Sequence, residues 1–137
     1  MSVNKIPPKV VALEKYEETG ILYSDFTDLT TAVGNYTCKF TLPVGFNIVR
    51  ATVANVTGFT GDTTAVITVG DGSDVDRLNT GTPSVVATIG GVDLGVPSGT
   101  VVVATAFKPV LTVTGGADFT SISAGQLDIQ VYGYQVL

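Results

Sequence analysis

Residues 63–82 read Thr-Thr-Ala-Val-Ile-Thr-Val-Gly-Asp-Gly-Ser-Asp-Val-Asp-Arg-Leu-Asn-Thr-Gly-Thr. A β-branched run stops at a corner rich in glycine and aspartate, and a second extended segment follows. β-Branched side chains are stiff at χ1 and fit a pleated surface. Glycine supplies positive φ, and aspartate bonds its own backbone in turns. The stretch predicts a strand, a tight polar turn and a return.

The same formula recurs along the chain with different turn residues. Tyr36, Cys38, Phe40 and Leu42 alternate with Thr37, Lys39 and Thr41, the period of a half-buried strand. Pro43-Val44-Gly45 is a turn, and residues 46–56 predict a long strand with Val49, Ala51 and Val53 on one face. Residues 57–62, centred on Gly58 and Gly61, predict a hairpin connection. Ala65, Ile67 and Val69 then share a face. Residues 84–89 predict a strand ended by Gly90-Gly91, and residues 92–98 a loop. Residues 100–107 are apolar on both faces and predict a central strand. Residues 110–114 resume after Pro109, Gly115-Gly116-Ala117-Asp118 makes a corner, and residues 119–125 connect to the last strand, 126–136. There Leu127, Ile129 and Val131 face one way, and Gln126, Asp128, Gln130 and Tyr132 the other.

About eight strands with short glycine-rich turns and no long helix predict an all-β fold, an antiparallel β-sandwich of jelly-roll type. An immunoglobulin-like sandwich is the alternative, though the Cys…Trp…Cys spacing is missing. Ahead of the sandwich domain (residues 21–137), residues 1–20 read as an extended N-terminal arm. Pro7-Pro8 fixes its own φ and keeps the preceding residue out of the helical region. Residues 9–16 suit a strand or a short helix, with extended pairing against the body or a neighbour preferred. Residues 21–23 suit an edge strand, and residues 25–35 a polar connection with room for one helical turn.

The residue inventory removes most chemistries. The chain has no histidine, which excludes Ser-His-Asp and Cys-His catalysis and histidine metal sites. Cys38 is the one cysteine, so no intrachain disulfide or cysteine-rich zinc site can form. Its place on an apolar strand face marks it as a small core hydrophobe. The net charge is −5, and the seven Lys and Arg are scattered, which disfavours nucleic acid as a partner. No apolar run reaches the length of a membrane span, and no signal-peptide core is visible, so no membrane is expected and folding in a cytoplasm is. At 137 residues the chain suits one domain.

Four groups remain as candidates. Asp71, Asp74 and Asp76 form the densest acidic cluster. They suit a hard cation such as calcium, but the spacing is not that of the helix–loop–helix calcium loop, and turn-building explains the same residues. A glycosidase-like carboxylate pair would have to come from Glu14, Glu17 and Glu18 or from loop aspartates such as Asp62, Asp93 and Asp118, and no pattern groups them. Gly70-Asp71-Gly72 lacks the Gly-Lys-Ser/Thr and the helix of a phosphate loop. Tyr132 and Tyr134 share the face opposite the expected core, where they serve packing or binding equally well. No catalytic residue and no cofactor are expected.

Phe40-Thr41-Leu42-Pro43-Val44-Gly45-Phe46-Asn47-Ile48-Val49 and Ile67-Thr68-Val69-Gly70-Asp71-Gly72-Ser73-Asp74-Val75-Asp76-Arg77, followed by a threonine-rich β half and a tyrosine-rich terminal strand, resemble small virion structural proteins of tailed bacteriophages. Among these the head decoration (cement) proteins are the favoured match. The resemblance spans residues 36–137 and leaves the arm uncovered. It implies a non-enzymatic β-sandwich subunit, a homotrimer, that binds the major capsid protein where capsomers meet and clamps the shell. It also implies a location on the capsid surface of the virion after assembly in the host cytoplasm, with the acidic corner serving as architecture. Ile6, Pro7, Pro8 and Val10 of the arm are expected to contact a neighbour by adding to its sheet edge, together with Tyr132 and Tyr134. The rival reading is a receptor- or glycan-binding module, or a tail-associated sandwich, since fold does not fix function.

Overall fold

A computed structural model describes residues 13–78, 84–85, 90–93 and 101–135. The arm positions Ile6, Pro7, Pro8 and Val10 lie outside the described residues. Nine strands lie among the described residues, in order: β1 (Glu14–Leu22), β2 (Thr27–Asp28), β3 (Val33–Thr37), β4 (Phe46–Thr60), β5 (Val66–Gly70), β6 (Ser84–Val85), β7 (Gly90–Asp93), β8 (Val110–Thr114) and β9 (Ala124–Gln135). Two 3-10 turns, Tyr23–Asp25 and Phe119–Ser121, are the helical elements among the described residues. All pairings are antiparallel, in one sheet of order β1-β9-β4-β7 and another of order β2-β3-β8-β5-β6. The all-β sandwich expected from the sequence is the fold found.

Side-chain alternation explains how the two sheets close. Leu127, Ile129 and Val131 of β9, Ile67 and Val69 of β5, and Leu111 and Val113 of β8 are all fully buried, as period-2 patterning requires. Phe46 and Phe59 of β4, with Leu42 and Leu78 from the loops, fill the space between the sheets. Each such side chain contributes roughly 1.5–3 kcal/mol of transfer free energy. At one end Tyr16 meets Phe46 edge-on at 5.2 Å and Phe40 in a stack at 5.8 Å. At the other, Phe26 packs against Phe59 and Phe119 at 5.9 and 6.0 Å.

Several local expectations are corrected. β4 carries a register shift between Ile48 and Arg50, so Phe46 and Ile48 point inward, Val49 is 40% exposed, and Ala51 and Val53 point inward again. A bulge adds one residue and flips the side-chain parity, which simple alternation cannot anticipate. The connection expected as a hairpin near Gly58 and Gly61 instead carries the chain from one sheet to the other, because β4 and β5 do not pair. The run expected as a central strand, residues 100–107, forms an irregular edge in its described part: Val103 is buried, while Val101 and Val102 are 36% and 39% exposed. It binds the start of β4 through Gly45 N–H to Val103 O (2.8 Å), Val103 N–H to Phe46 O (2.9 Å) and Ile48 N–H to Val101 O (2.9 Å). An apolar run reads the same whether both its faces are buried or one rims a sheet.

One boundary also moves. Gly90-Gly91, read as a strand end, opens β7 and pairs with Asn55 and Ala54 of β4. Residue 20 lies within β1, whose Glu14–Glu18 stretch is laddered to β9 before a register shift leads to Ile21 and Leu22. Residues 36–42 keep their expected inward face, with Cys38 and Leu42 buried. Regular pairing ends at Thr37, however, and residues 38–42 follow the 107–109 segment through Cys38 N–H to Pro109 O and Leu42 N–H to Phe107 O, both 2.8 Å.

Candidate functional site

The acidic corner follows β5 directly, and its aspartates are spent on the turn. Asp71 Oδ1 accepts from the backbone N–H of Ser73 (2.8 Å) and of Asp74 (2.7 Å), while Oδ2 receives Arg77 Nη1 at 3.3 Å. Asp71 N–H returns to Asp74 O at 3.1 Å, and Leu78 N–H to Val69 O at 3.0 Å closes the loop. Burial pushes the Asp71 carboxyl up, but the Asp74 and Ser73 N–H bonds and the Arg77 guanidinium outweigh it and hold it below its ordinary value. Arg77 in turn lies 4.7 Å over the Phe107 ring, a cation–π contact that anchors the corner to the 101–107 edge. Asp74 accepts from Asp76 N–H at 3.3 Å, and Asp74 raises the Asp76 carboxyl through their hydrogen bond and charge. Among the described residues no three His, Cys, Asp or Glu side chains are grouped to hold a metal ion. The three aspartates do not converge on a point; Asp71 faces inward to its own backbone.

The loop carboxylates weighed as a glycosidase pair are likewise engaged one by one. Asp62 Oδ1 accepts from Thr64 N–H (3.0 Å) and Oγ1 (2.7 Å), and Oδ2 from Gly116 N–H (2.7 Å) and Ala117 N–H (3.2 Å). Asp118 caps the second 3-10 turn through Thr120 N–H and Oγ1, at 3.0 and 2.8 Å. The Thr64 hydroxyl and backbone hold Asp62 below its ordinary value, and the Thr120 backbone and hydroxyl do so for Asp118. A carboxyl held in its ionised form is the opposite of a general acid. Glu18 binds the Tyr36 hydroxyl and, through Oε1, Lys39 N–H at 2.6 Å, so it ties β1 to the β3 side of the sandwich. Asp93 belongs to β7; its side chain lies outside the described residues.

The outer face of the β1-β9-β4-β7 sheet is a different kind of surface. Strand register sets Lys15, Tyr132 and Arg50 in one cross-strand row, and Tyr134, Asn47 and Val102 in the next. Asn47 Nδ2 donates to Tyr134 Oη at 3.1 Å. Tyr132 Oη donates to Gln130 Oε1 (2.9 Å), Gln130 Nε2 donates to Glu17 Oε2 (2.6 Å), and Arg50 Nη2 donates to Thr52 Oγ1 (3.2 Å). The Gln130 bond and Lys15, 3.4 Å away, hold Glu17 below its ordinary value. Between these chains lies an open hollow of about 300 Å³ lined by Leu13, Val49, Arg50, Thr52, Gln130 and Tyr132. Leu13 (59%) and Val49 (40%) leave apolar surface exposed in its lining, and Val102 and Tyr134 are exposed in the neighbouring row.

Tyr132 and Tyr134 therefore sit on the outer face, as their alternation with Val131 indicates. Of their neighbours, Arg50 and Val102 carry no signal in the sequence, and Val49 alternates there with Ala51 and Val53, which face inward. Finding them needs the β4 bulge and the cross-strand register, neither of which has a local signal.

No protein-family model matches this sequence, and no curated protein matches it significantly. In three dimensions the chain is similar to a chain of the cyanophage Pam1 capsid asymmetric unit, with a TM-score of 0.56 and 19% sequence identity. The match covers 98% of this chain and 94% of that one. At that identity the likeness is one of fold.

Proposed function

We propose that this chain is a non-enzymatic structural protein of a tailed-bacteriophage virion, a decoration or cement subunit that binds the outside of a shell of major capsid protein and stabilises it. One observation carries the reading: the fold likeness to a capsid chain extends over nearly the whole of both chains. It is thus a likeness of whole subunits of similar size. With the two-residue β2 set aside, β1-β9-β4-β7 face β3-β8-β5-β6, an order that supports a jelly-roll reading. That architecture is common in viral capsid and lectin domains. Asp62 and Asp118, two of the carboxylates that could have served catalysis, are held ionised by the turns they build, which favours architecture over chemistry. In this reading the subunit is a homotrimer at the junctions of capsomers. The arm residues Ile6, Pro7, Pro8 and Val10 and the outer-face tyrosines Tyr132 and Tyr134 meet the shell.

The test is to mix the purified protein with shells assembled from the major capsid protein of the same genome, then sediment them and measure shell melting. Stoichiometric co-sedimentation and a raised melting temperature are expected. Failure to bind shells, together with binding to isolated tails or to a glycan array, would replace this reading with the receptor-binding one.

A further inference from the structure

We infer that the hollow between the acidic corner and residues 104–107 takes an extended, basic segment of another protein. The segment pairs its backbone with the open stretch at 104–106 and sets lysine or arginine against the corner. The hollow measures about 340 Å³, which is within the range of ligand pockets. Among the described residues its walls are Asp71, Ser73 and Arg77 from the corner and residues 104–107 from the edge. The edge is pinned on either side of that opening. Val103 O accepts from Gly45 N–H (2.8 Å), and Val103 N–H donates to Phe46 O (2.9 Å). Phe107 N–H donates to Leu42 O (3.3 Å), and Phe107 O accepts from Leu42 N–H (2.8 Å). No hydrogen bond joins Ala104, Thr105 or Ala106 to another described residue, and all three are exposed. A fixed stretch of unpaired N–H and C=O groups is a template for the backbone of another chain.

Side chains leave room for that backbone. Ala104 and Ala106 carry only a methyl group, and paired strands lie about 4.8 Å apart. The bonds at Val103 and Phe107 already order the stretch, so pairing costs little on this side. Arg77 is committed to the fold and is not a receptor for an anion. Its guanidinium lies 4.7 Å over the Phe107 ring, meets Asp71 at 3.3 Å and reaches Val102 O at 3.5 Å. The charge left at the rim of the corner is acidic. Asp74 and Asp76 are both exposed, and Asp74 raises the Asp76 carboxyl through their hydrogen bond and charge. A cation beside the pair relieves that crowding, which selects a basic segment over an acidic one. Lys108, also exposed, follows Phe107, so the basic end of the segment lies toward Asp74 and Asp76. Val75, 56% exposed between those aspartates, offers the segment apolar contact. The inference does not rest on the capsid reading and can fail separately from it.

Amide chemical shifts of the isotope-labelled full-length protein test it. The probe is acetyl-Lys-Lys-Val-Thr-Val-amide. Beside it stand acetyl-Glu-Glu-Val-Thr-Val-amide and a copy of the basic peptide N-methylated at both valines. The basic peptide should shift the Ser73, Ala104, Thr105 and Ala106 amides saturably, with a Kd at least ~10-fold below that of the acidic peptide in dilute buffer. Salt should narrow that gap. N-methylation removes two donors and should abolish the shifts at 104–106. Asp74→Asn with Asp76→Asn should bring the two charged peptides to equal affinity, with a urea midpoint close to the parent's because both sites are exposed. No saturable shift of the 104–106 amides would overturn the inference, as would equal affinities for the basic and acidic peptides in the parent protein. Undiminished binding of the N-methylated peptide would overturn it too, by reducing the contact to charge attraction without backbone pairing.

Discussion

Asp62 Oδ2 and the Gly116 backbone N–H, 54 residues apart in sequence, meet at 2.7 Å. The same carboxylate takes Ala117 N–H and both donors of Thr64, so the turn between β4 and β5 is fastened to the corner after β8. The glycines at that corner follow from this contact. A Cβ on Gly115 would collide with Asp62 Oδ2, and one on Gly116 would come within 2.9 Å of Thr64 Oγ1.

The Thr64 hydroxyl and the backbone donors hold Asp62 ionised below its ordinary value, so its contribution to stability is present above the unfolded carboxyl's pKa of about 4 and is lost as pH falls through the lower folded value. Asp62→Asn should lower the urea midpoint at pH 7 and flatten the acid limb of the stability profile below about pH 4. An unchanged midpoint, or an acid limb as steep as the parent's, would show that the fastening is idle.

Gly133 of β9 is buried beneath the Phe46 ring, and a Cβ there would strike both that ring and the Asn47 carbonyl of the adjoining strand. Gly133→Ala should therefore cost about 1–3 kcal/mol by overpacking. Chemical denaturation would show a lower midpoint with an unchanged m-value. A neutral result would mean that β4 and β9 can part at this point without cost.

What was legible in the sequence was what period-2 patterning and turn chemistry encode locally. Leu127, Ile129 and Val131 announce β9, Ala65, Ile67 and Val69 announce the inward face around β5, and the glycine-aspartate corners fall where the chain turns. Features that depend on one extra residue or on a distant partner stayed hidden. Val49 faces outward because of a bulge that its neighbours do not signal. The 101–107 run looks like a central strand because Val and Ala cannot say whether the second face meets protein or water. The Arg50–Tyr132 row and the Asp62–Gly116 bond arise from pairing across 82 and 54 residues of chain, and no spacing in the sequence reports them.

Cys38 is 1% exposed, and burial, with the Glu18 charge adding, pushes its thiol up to about 12. The thiolate is the reactive form, so native protein at pH 8 should leave a disulfide reagent untouched, whereas unfolded protein should react at once. Stoichiometric labelling of the native chain within minutes would place the thiol nearer the surface than this packing allows. Cys38→Ser should destabilise by about 1–3 kcal/mol, since a hydroxyl replaces a small hydrophobe in the core.

Tyr36 on β3 donates its hydroxyl to Glu18 on β1, and Phe26 packs against the Tyr36 ring at 5.8 Å. Burial raises the phenol's pKa, and the bond to Glu18 and that residue's charge raise it further. The neutral phenol is thus the form that the fold favours. Its contribution is present below the unfolded tyrosine's pKa of about 10 and is lost as pH climbs above that value toward the higher folded one. Tyr36→Phe keeps the ring and removes the bond, so it should cost about 1–2 kcal/mol near neutrality. It should also flatten the alkaline limb above about pH 10, while the buried Cys38 thiol still supplies the loss that begins nearer pH 9. Urea unfolding at those three pH values separates the two effects. If the variant lost stability above pH 10 as steeply as the parent, the alkaline limb would belong to another group and the Glu18–Tyr36 bond would carry no coupling between β1 and β3.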